Sequence, residues 1–320
     1  MTSASEGAST SAPSASASAA TSGSASTVAS TAPPAPAPYP EDAPKRLVAN
    51  DELAVHDWAL PGDPKISRRC VVLVPRHLAV GERVPLLVAL HGLAETIDET
   101  MGAYAWLDKY GIADGYAHLR APETMSVASL GKMITQDRLD ELHADLAKSP
   151  FRGMVVACPY TPNIWKVSPD VEATIGALSS WIFDVLVPRL RAETPVRTER
   201  EFLGVDGVSL GGYASLGVGI RRAADLGSIG CVQAAISVAE APSFADRFAK
   251  SFAASGVRPL HLLTSTADVF RKPVEALDHA LEDRAVAHEF RLALGPHDQP
   301  FLRGPGSVEM LLWHARALGG

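Results

Sequence analysis

The feature that most restricts how this chain folds is the stretch Phe202-Leu203-Gly204-Val205-Asp206-Gly207-Val208-Ser209-Leu210-Gly211-Gly212-Tyr213. An apolar, β-type run enters Gly207-x-Ser209-x-Gly211-Gly212, and a compact segment with Ala214, Leu216, Val218 and Ile220 leaves it. A strand must turn at once into a helix there, which holds one serine in a strained backbone at the C-terminal edge of a sheet. Glycines flank the serine because side chains at those positions would clash with the neighbouring strand and helix. The N-terminus of the following helix faces the serine, and its free N–H groups stabilise negative charge. The competing reading is a glycine-rich turn with an incidental serine. The rest of the chain therefore has to supply a base, an orienting acid and an oxyanion hole.

The 320 residues are enough for one large domain with a sizeable core. A net charge of −7 without a dense Lys/Arg cluster argues against nucleic acid or an anionic membrane surface as the main partner. No apolar run approaches the roughly 20 residues needed to span a bilayer. Cys70, Cys158 and Cys231 each sit in an apolar β-like run and read as small core residues. Their odd number and lack of spacing pattern give no disulfide framework and no zinc site.

Residues 1–40 form a low-complexity tract of Ser, Ala, Thr and Pro. With almost no large apolar side chains, such a tract cannot offset the entropy of ordering, so a disordered tail is expected. It has no basic start and no apolar core of a signal peptide, which points to the cytoplasm. Similar tracts also follow the cleavage site of exported proteins, so export or a cell-envelope location is the alternative.

Ordered structure is expected from about Arg46 to the C-terminus, as a domain over 46–320. Leu53–Leu60 and Cys70–Val74 read as early strands joined through Gly62-Asp63-Pro64. Pro85–Leu90 and Met154–Cys158 are near-continuous apolar runs, typical of strands buried on both faces. Helical spacing of Leu139, Leu142 and Leu146 marks Arg138–Lys148, within a stretch 111–150 long enough to hold a pocket-shaping insertion. Ser168-Pro169 opens a helix carrying Val171, Ile175, Leu178, Ile182, Val185 and Leu186, which Pro188 should kink or end. Further strands are expected at Cys231–Val238, Leu260–Thr264 and Glu289–Leu294, and helices at Pro273–Asp283 and Val308–Leu318. This alternation predicts an α/β fold, a mostly parallel, doubly wound sheet with helices on both faces and an antiparallel start.

Ligands of an open parallel sheet bind beyond the C-terminal ends of its strands. Asp268 follows Leu260–Thr264, and His297 follows Glu289–Leu294 in Gly295-Pro296-His297. Ser209, Asp268 and His297 thus lie at one edge of the sheet in an order that suits a nucleophile, an orienting acid and a base. Singly, an Asp after a strand is often a helix cap and a His in such a loop is often a surface residue. Their joint order favours catalysis. Two rival acids are weaker: Asp206 lies inside the elbow strand, and Asp298 adjoins His297 in sequence. Leu210 N–H, just after Ser209, is the first oxyanion donor, and Leu93 N–H in the loop after His91-Gly92 is the second. His91 reads as a packed support of that loop. The remaining histidines show no metal-ligand spacing, so no metal is expected. Tyr160 and Trp165 either line an acyl or alcohol pocket or pack their loop rigidly.

Over about residues 68–318 the chain resembles the esterase D branch of the α/β-hydrolases, which includes S-formylglutathione hydrolases, feruloyl and other carboxylesterases, and mycolyl transferases. The resemblance rests on Leu90-His91-Gly92, on Gly207-Val208-Ser209-Leu210-Gly211-Gly212, on Asp268, and on His297-Asp298-Gln299-Pro300-Phe301 with Trp313-His314. It implies an α/β-hydrolase fold and hydrolysis of small-molecule carboxylic or thiol esters without a cofactor. It departs from the family pattern at Asp206, where a small or apolar residue is usual, and in Leu93-Ala94-Glu95-Thr96, which lacks an extra glycine. A peptidase or acyltransferase is the alternative on the same fold, and a non-catalytic binding module is the alternative outside enzymes. Deleting residues 1–40 is expected to leave kcat/KM on p-nitrophenyl esters unchanged; a large loss in the truncated protein would show that the tract takes part in activity.

Overall fold

A computed structural model describes residues 51–319, so the expected tail over residues 1–40 lies outside the described residues. Eight strands form one sheet: β1 (Leu53–Ala59), β2 (Arg69–Pro75), β3 (Leu86–Leu90), β4 (Val155–Pro159), β5 (Leu203–Gly207), β6 (Ser228–Val232), β7 (Leu260–Ala267) and β8 (Glu289–Pro296). Their spatial order is β1-β2-β4-β3-β5-β6-β7-β8. β1 and β2 pair antiparallel, β2 meets β4 antiparallel, and every later pairing is parallel. The early strands lack an intervening helix and so start the sheet antiparallel. The β–α alternation that follows makes the rest parallel.

Successive side chains of a strand point to opposite faces, so the central strands feed two cores. Leu86, Val88 and Leu90 of β3 join one core with Val205, Ile175, Leu178, Leu216 and Phe248. Leu87 and Ala89 join the other with Tyr116, Leu142, Phe301 and Leu311. The helices Val171–Trp181, Leu210–Arg222, Ala241–Ser255 and Arg271–Glu282 supply the first face. Ile112–Arg120, Gln136–Lys148 and Ser307–Ala317 supply the second. Residues 111–150 are thus largely a covering layer of the sheet. All three cysteines are buried and unpaired, and burial pushes their thiols above the ordinary range.

Two local expectations need correction. β6 begins at Ser228 and ends at Val232, because Gln233 takes a positive φ of 48° and breaks the apolar run that was read through to Val238. Pro188 does not stop its helix. A wide π-type turn over Ile182–Leu186 precedes it and the helix continues through Val187–Glu193, which accommodates a residue with no N–H to donate. The continuous helix Val171–Glu193 has 23 residues and is long and apolar enough to cross a membrane by length and composition. Its apolar stripe of Ile175, Leu178, Ile182 and Leu186 is buried in the core of this fold.

Under the elbow strand lies a buried polar cluster. Asp206 of β5 accepts from Gly207 N–H (2.6 Å) and pairs with His314 Nε2 (2.8 Å), whose Nδ1 meets Ser228 Oγ (2.7 Å). All three residues are fully buried. Burial raises the Asp206 carboxyl above its usual range, and the contact with His314 opposes that shift. A Cβ at Gly230 would lie 2.1 Å from Asp206 Oδ2, so glycine makes room for the pair. Gly230→Ala is expected to lower stability by about 1–3 kcal/mol, read as a lower urea midpoint at constant m-value.

Candidate active site

β5 ends at Gly207 and the next helix begins at Leu210, so only Val208 and Ser209 make the turn. Ser209 pays for this with φ 58°, ψ −116°, a region that L-residues avoid. Ser209 N–H donates to Val232 O (3.0 Å), and Ser209 O accepts from Ala235 N–H (2.9 Å) and Tyr213 N–H (3.0 Å). The flanking glycines answer a steric demand. A Cβ at Gly207 would stand 2.3 Å from Gly211 O, and one at Gly211 would stand 2.3 Å from Leu90 O.

The parallel sheet carries the two other residues to the same edge. Asp268 follows the last residue of β7, and His297 follows the last residue of β8. His297 Nε2 lies 3.1 Å from Ser209 Oγ, and its Nδ1 lies 2.8 Å from Asp268 Oδ1. The Asp268 side chain is fully buried. It accepts from Phe270 N–H (2.9 Å) on Oδ1 and from the Thr264 hydroxyl (2.7 Å) on Oδ2, which fixes its plane. A carboxylate at Nδ1 favours the tautomer that leaves Nε2 as acceptor for the serine hydroxyl. The Phe270 ring packs edge-on against the imidazole at 5.2 Å.

The rival acids are placed elsewhere. Asp206 belongs to the buried cluster with His314, and Asp298 caps a short helix by accepting from Phe301 N–H (2.9 Å). His91 is fully buried; its Nδ1 meets Gly92 O (2.9 Å) and its Nε2 accepts from Thr161 N–H (2.8 Å). Burial pulls its pKa down to about 4, so it stays neutral while tying the loop after β3 to the loop after β4.

Ser209 and His297 open onto a cavity of about 330 Å³ that is also lined by Gly92, Leu93, Glu95, Tyr110, Gln233 and Leu302. A larger cavity of about 650 Å³, lined in part by Arg258, His261 and Trp313, lies beside Leu260 and Glu289, the first residues of β7 and β8. It is at the opposite end of the strands from the Ser209 edge, and its size carries no chemistry for that edge. The N–H groups of Leu210 and Leu93 meet no acceptor among the described residues. Gly92 N–H, by contrast, donates to Tyr110 Oη (3.2 Å).

The cavity is not lined by Tyr160, Trp165 or any residue of 111–150. The Tyr160 hydroxyl donates to Thr96 O (3.2 Å) and its ring lies against His91, while Trp165 packs edge-on against Tyr213. Both side chains brace their loop instead. From the stretch 111–150, Met133 packs against the end of β8, so close that a Cβ at Gly295 would lie 2.9 Å from its sulfur.

Sequence reasoning missed Gln233, Glu95 and Tyr110. Gln233 Nε2 donates to Ser265 Oγ (2.7 Å) and to Pro296 O (2.9 Å), which joins the ends of β6, β7 and the His297 loop. Its signal is its place one residue beyond a strand, which the apolar run on to Val238 conceals. Glu95 accepts from the Tyr110 hydroxyl, and burial together with this carboxylate pushes the phenol well above its usual range.

No protein-family model and no curated protein matches the sequence. The fold does match solved structures. A ferulic acid esterase is 16% identical with a TM-score of 0.59, over 84% of this chain and 100% of its own. The fluorophosphonate-binding serine hydrolase F of Staphylococcus aureus is 11% identical with a TM-score of 0.57, over 82% and 98%. An S-formylglutathione hydrolase from Agrobacterium tumefaciens is 14% identical with a TM-score of 0.55, over 84% and 97%. The chain has the α/β-hydrolase fold. Because glycine relaxes at the backbone angles of Ser209, Ser209→Gly is expected to unfold at a higher urea concentration than Ser209→Ala, by about 1 kcal/mol.

Proposed function

We propose that this chain is a serine esterase that works through an acyl-enzyme, with Ser209 as nucleophile, His297 as base and then acid, and Asp268 as the residue that orients the imidazole. The observation that carries the proposal is a single imidazole hydrogen-bonded at once to a strained serine (3.1 Å) and to a buried carboxylate (2.8 Å). The likeness in fold to esterases and serine hydrolases supports the same reading.

A serine hydroxyl is a poor nucleophile until a base takes its proton. Ser209 Oγ bonds to the ester carbonyl carbon as its proton passes to His297 Nε2. The imidazolium that forms is stabilised by Asp268. The carbonyl oxygen becomes an oxyanion, for which the N–H groups of Leu210 and Leu93 are the proposed donors. The leaving-group C–O bond then breaks, and the alkoxide takes the proton from His297 and departs as alcohol. Water, deprotonated by the same imidazole, attacks the acyl carbon and frees the acid and Ser209.

The test is turnover of short and long p-nitrophenyl esters. Ser209→Ala, His297→Ala and Asp268→Asn are each expected to lower kcat by about 10³-fold or more, while Asp298→Asn stays within a few-fold of wild type. Unimpaired turnover by Ser209→Ala would end the assignment, and a large loss confined to Asp298→Asn would move the acid to Asp298.

A further inference from the structure

The wall of the Ser209 cavity contains a carboxylate that its own protein leaves half served. Glu95 ends the short turn Leu93–Glu95 directly after Gly92 and is only 4% exposed. Its Oε2 accepts from the Tyr110 hydroxyl, whereas its Oε1 accepts no hydrogen bond among the described residues. Oε1 is not sealed from solvent, so on a residue that lines the cavity it is open to a donor that enters there. The cavity offers no cation to balance it, because neither Lys nor Arg is among its lining residues. The other carboxylate there, Asp298, adds negative charge, and the imidazole of His297 is already engaged by Asp268.

Glu95 is also held rigidly and close to the reacting group. The Tyr110 hydroxyl donates to it while accepting from Gly92 N–H, and the Tyr110 ring is wedged edge-on against Trp106 at 5.1 Å. A methyl group placed on Gly92 would touch both Glu95 Oε2 (3.6 Å) and Ser209 Cβ (3.7 Å). A group that meets this carboxylate therefore sits a few bonds from a carbonyl poised on Ser209.

We propose that Glu95 is a specificity-determining residue, and that the ester this cavity takes carries a protonated amine a few bonds from the scissile carbonyl. The proposal rests on the esterase reading above and names its substrate class. An ammonium group supplies both things the wall lacks, a positive charge and hydrogen-bond donors for Oε1. An acyl group ending in a carboxylate meets two like charges and is disfavoured. A purely structural Glu95 would only brace Tyr110, a task that the amide oxygen of glutamine performs without charge.

The test compares matched esters at pH 7, with acid release followed by titration. On the acyl side, ethyl 3-aminopropanoate is set against ethyl butanoate, ethyl 3-hydroxypropanoate and monoethyl succinate. On the alcohol side, 2-(dimethylamino)ethyl butanoate is set against 3-methylbutyl butanoate. The expected result is that, in at least one of the two series, kcat/KM for the ammonium ester exceeds that of its neutral isostere by about tenfold or more, with the succinate ester the poorest substrate. In Glu95→Gln that ratio is expected to fall to about one, with fluorophosphonate labelling of Ser209 reporting that the site is still assembled. Wild-type protein alone gives a second readout, in which propylammonium competes with turnover and propanoate does not. A ratio near one in both series, a ratio unchanged in Glu95→Gln, or a hydroxyl ester preferred as strongly as the amine would overturn the proposal. Turnover of the neutral esters without an amine preference defeats this inference only, whereas turnover of none of the esters defeats the esterase reading with it.

Discussion

The positive-φ turn at Ser209 is the constraint on which the rest of the molecule depends. A non-glycine residue in such a region costs about 1–3 kcal/mol and persists only where its surroundings over-determine it. Here the surroundings are backbone rather than side chains. Leu90 O stands where a Cβ of Gly211 would go, and Gly211 O stands where a Cβ of Gly207 would go. The end of β3, the end of β5 and the first turn of the helix Leu210–Arg222 are therefore in backbone contact. The two cores on either face of the sheet hold that contact closed, and the serine hydroxyl is left at the sheet edge with little freedom.

The same architecture explains which parts of the site were legible in the sequence. In a parallel sheet every strand delivers its following residue to one edge, so locating strand ends is enough to bring Ser209, Asp268 and His297 together on paper. The structure places their side chains in hydrogen-bonding range. Gln233 escaped notice because an apolar run continues past it, and only its backbone angle reveals that the strand has ended. Glu95 and Tyr110 escaped because their importance is a contact between residues 15 apart across the short helices Glu99–Ala103 and Ala105–Asp108, which no periodicity encodes. Tyr160 and Trp165 lie on the loop after β4, but aromatic character alone does not tell a ring that faces a cavity from a ring that braces a turn. The covering layer over 111–150 was opaque for a similar reason. Gln136–Lys148 shows in the spacing of its leucines, whereas Ile112–Arg120 is only nine residues long and its apolar face is completed by Ser307–Ala317.

Asp206, an oddity in the sequence of the elbow strand, ties the elbow to a distant part of the chain. Its partner His314 lies 108 residues later in the chain. A carboxylate buried without its partner destabilises a fold by about 3–5 kcal/mol, so losing His314 from the helix Ser307–Ala317 is felt at the strand that leads to Ser209, although that helix lines no part of the cavity.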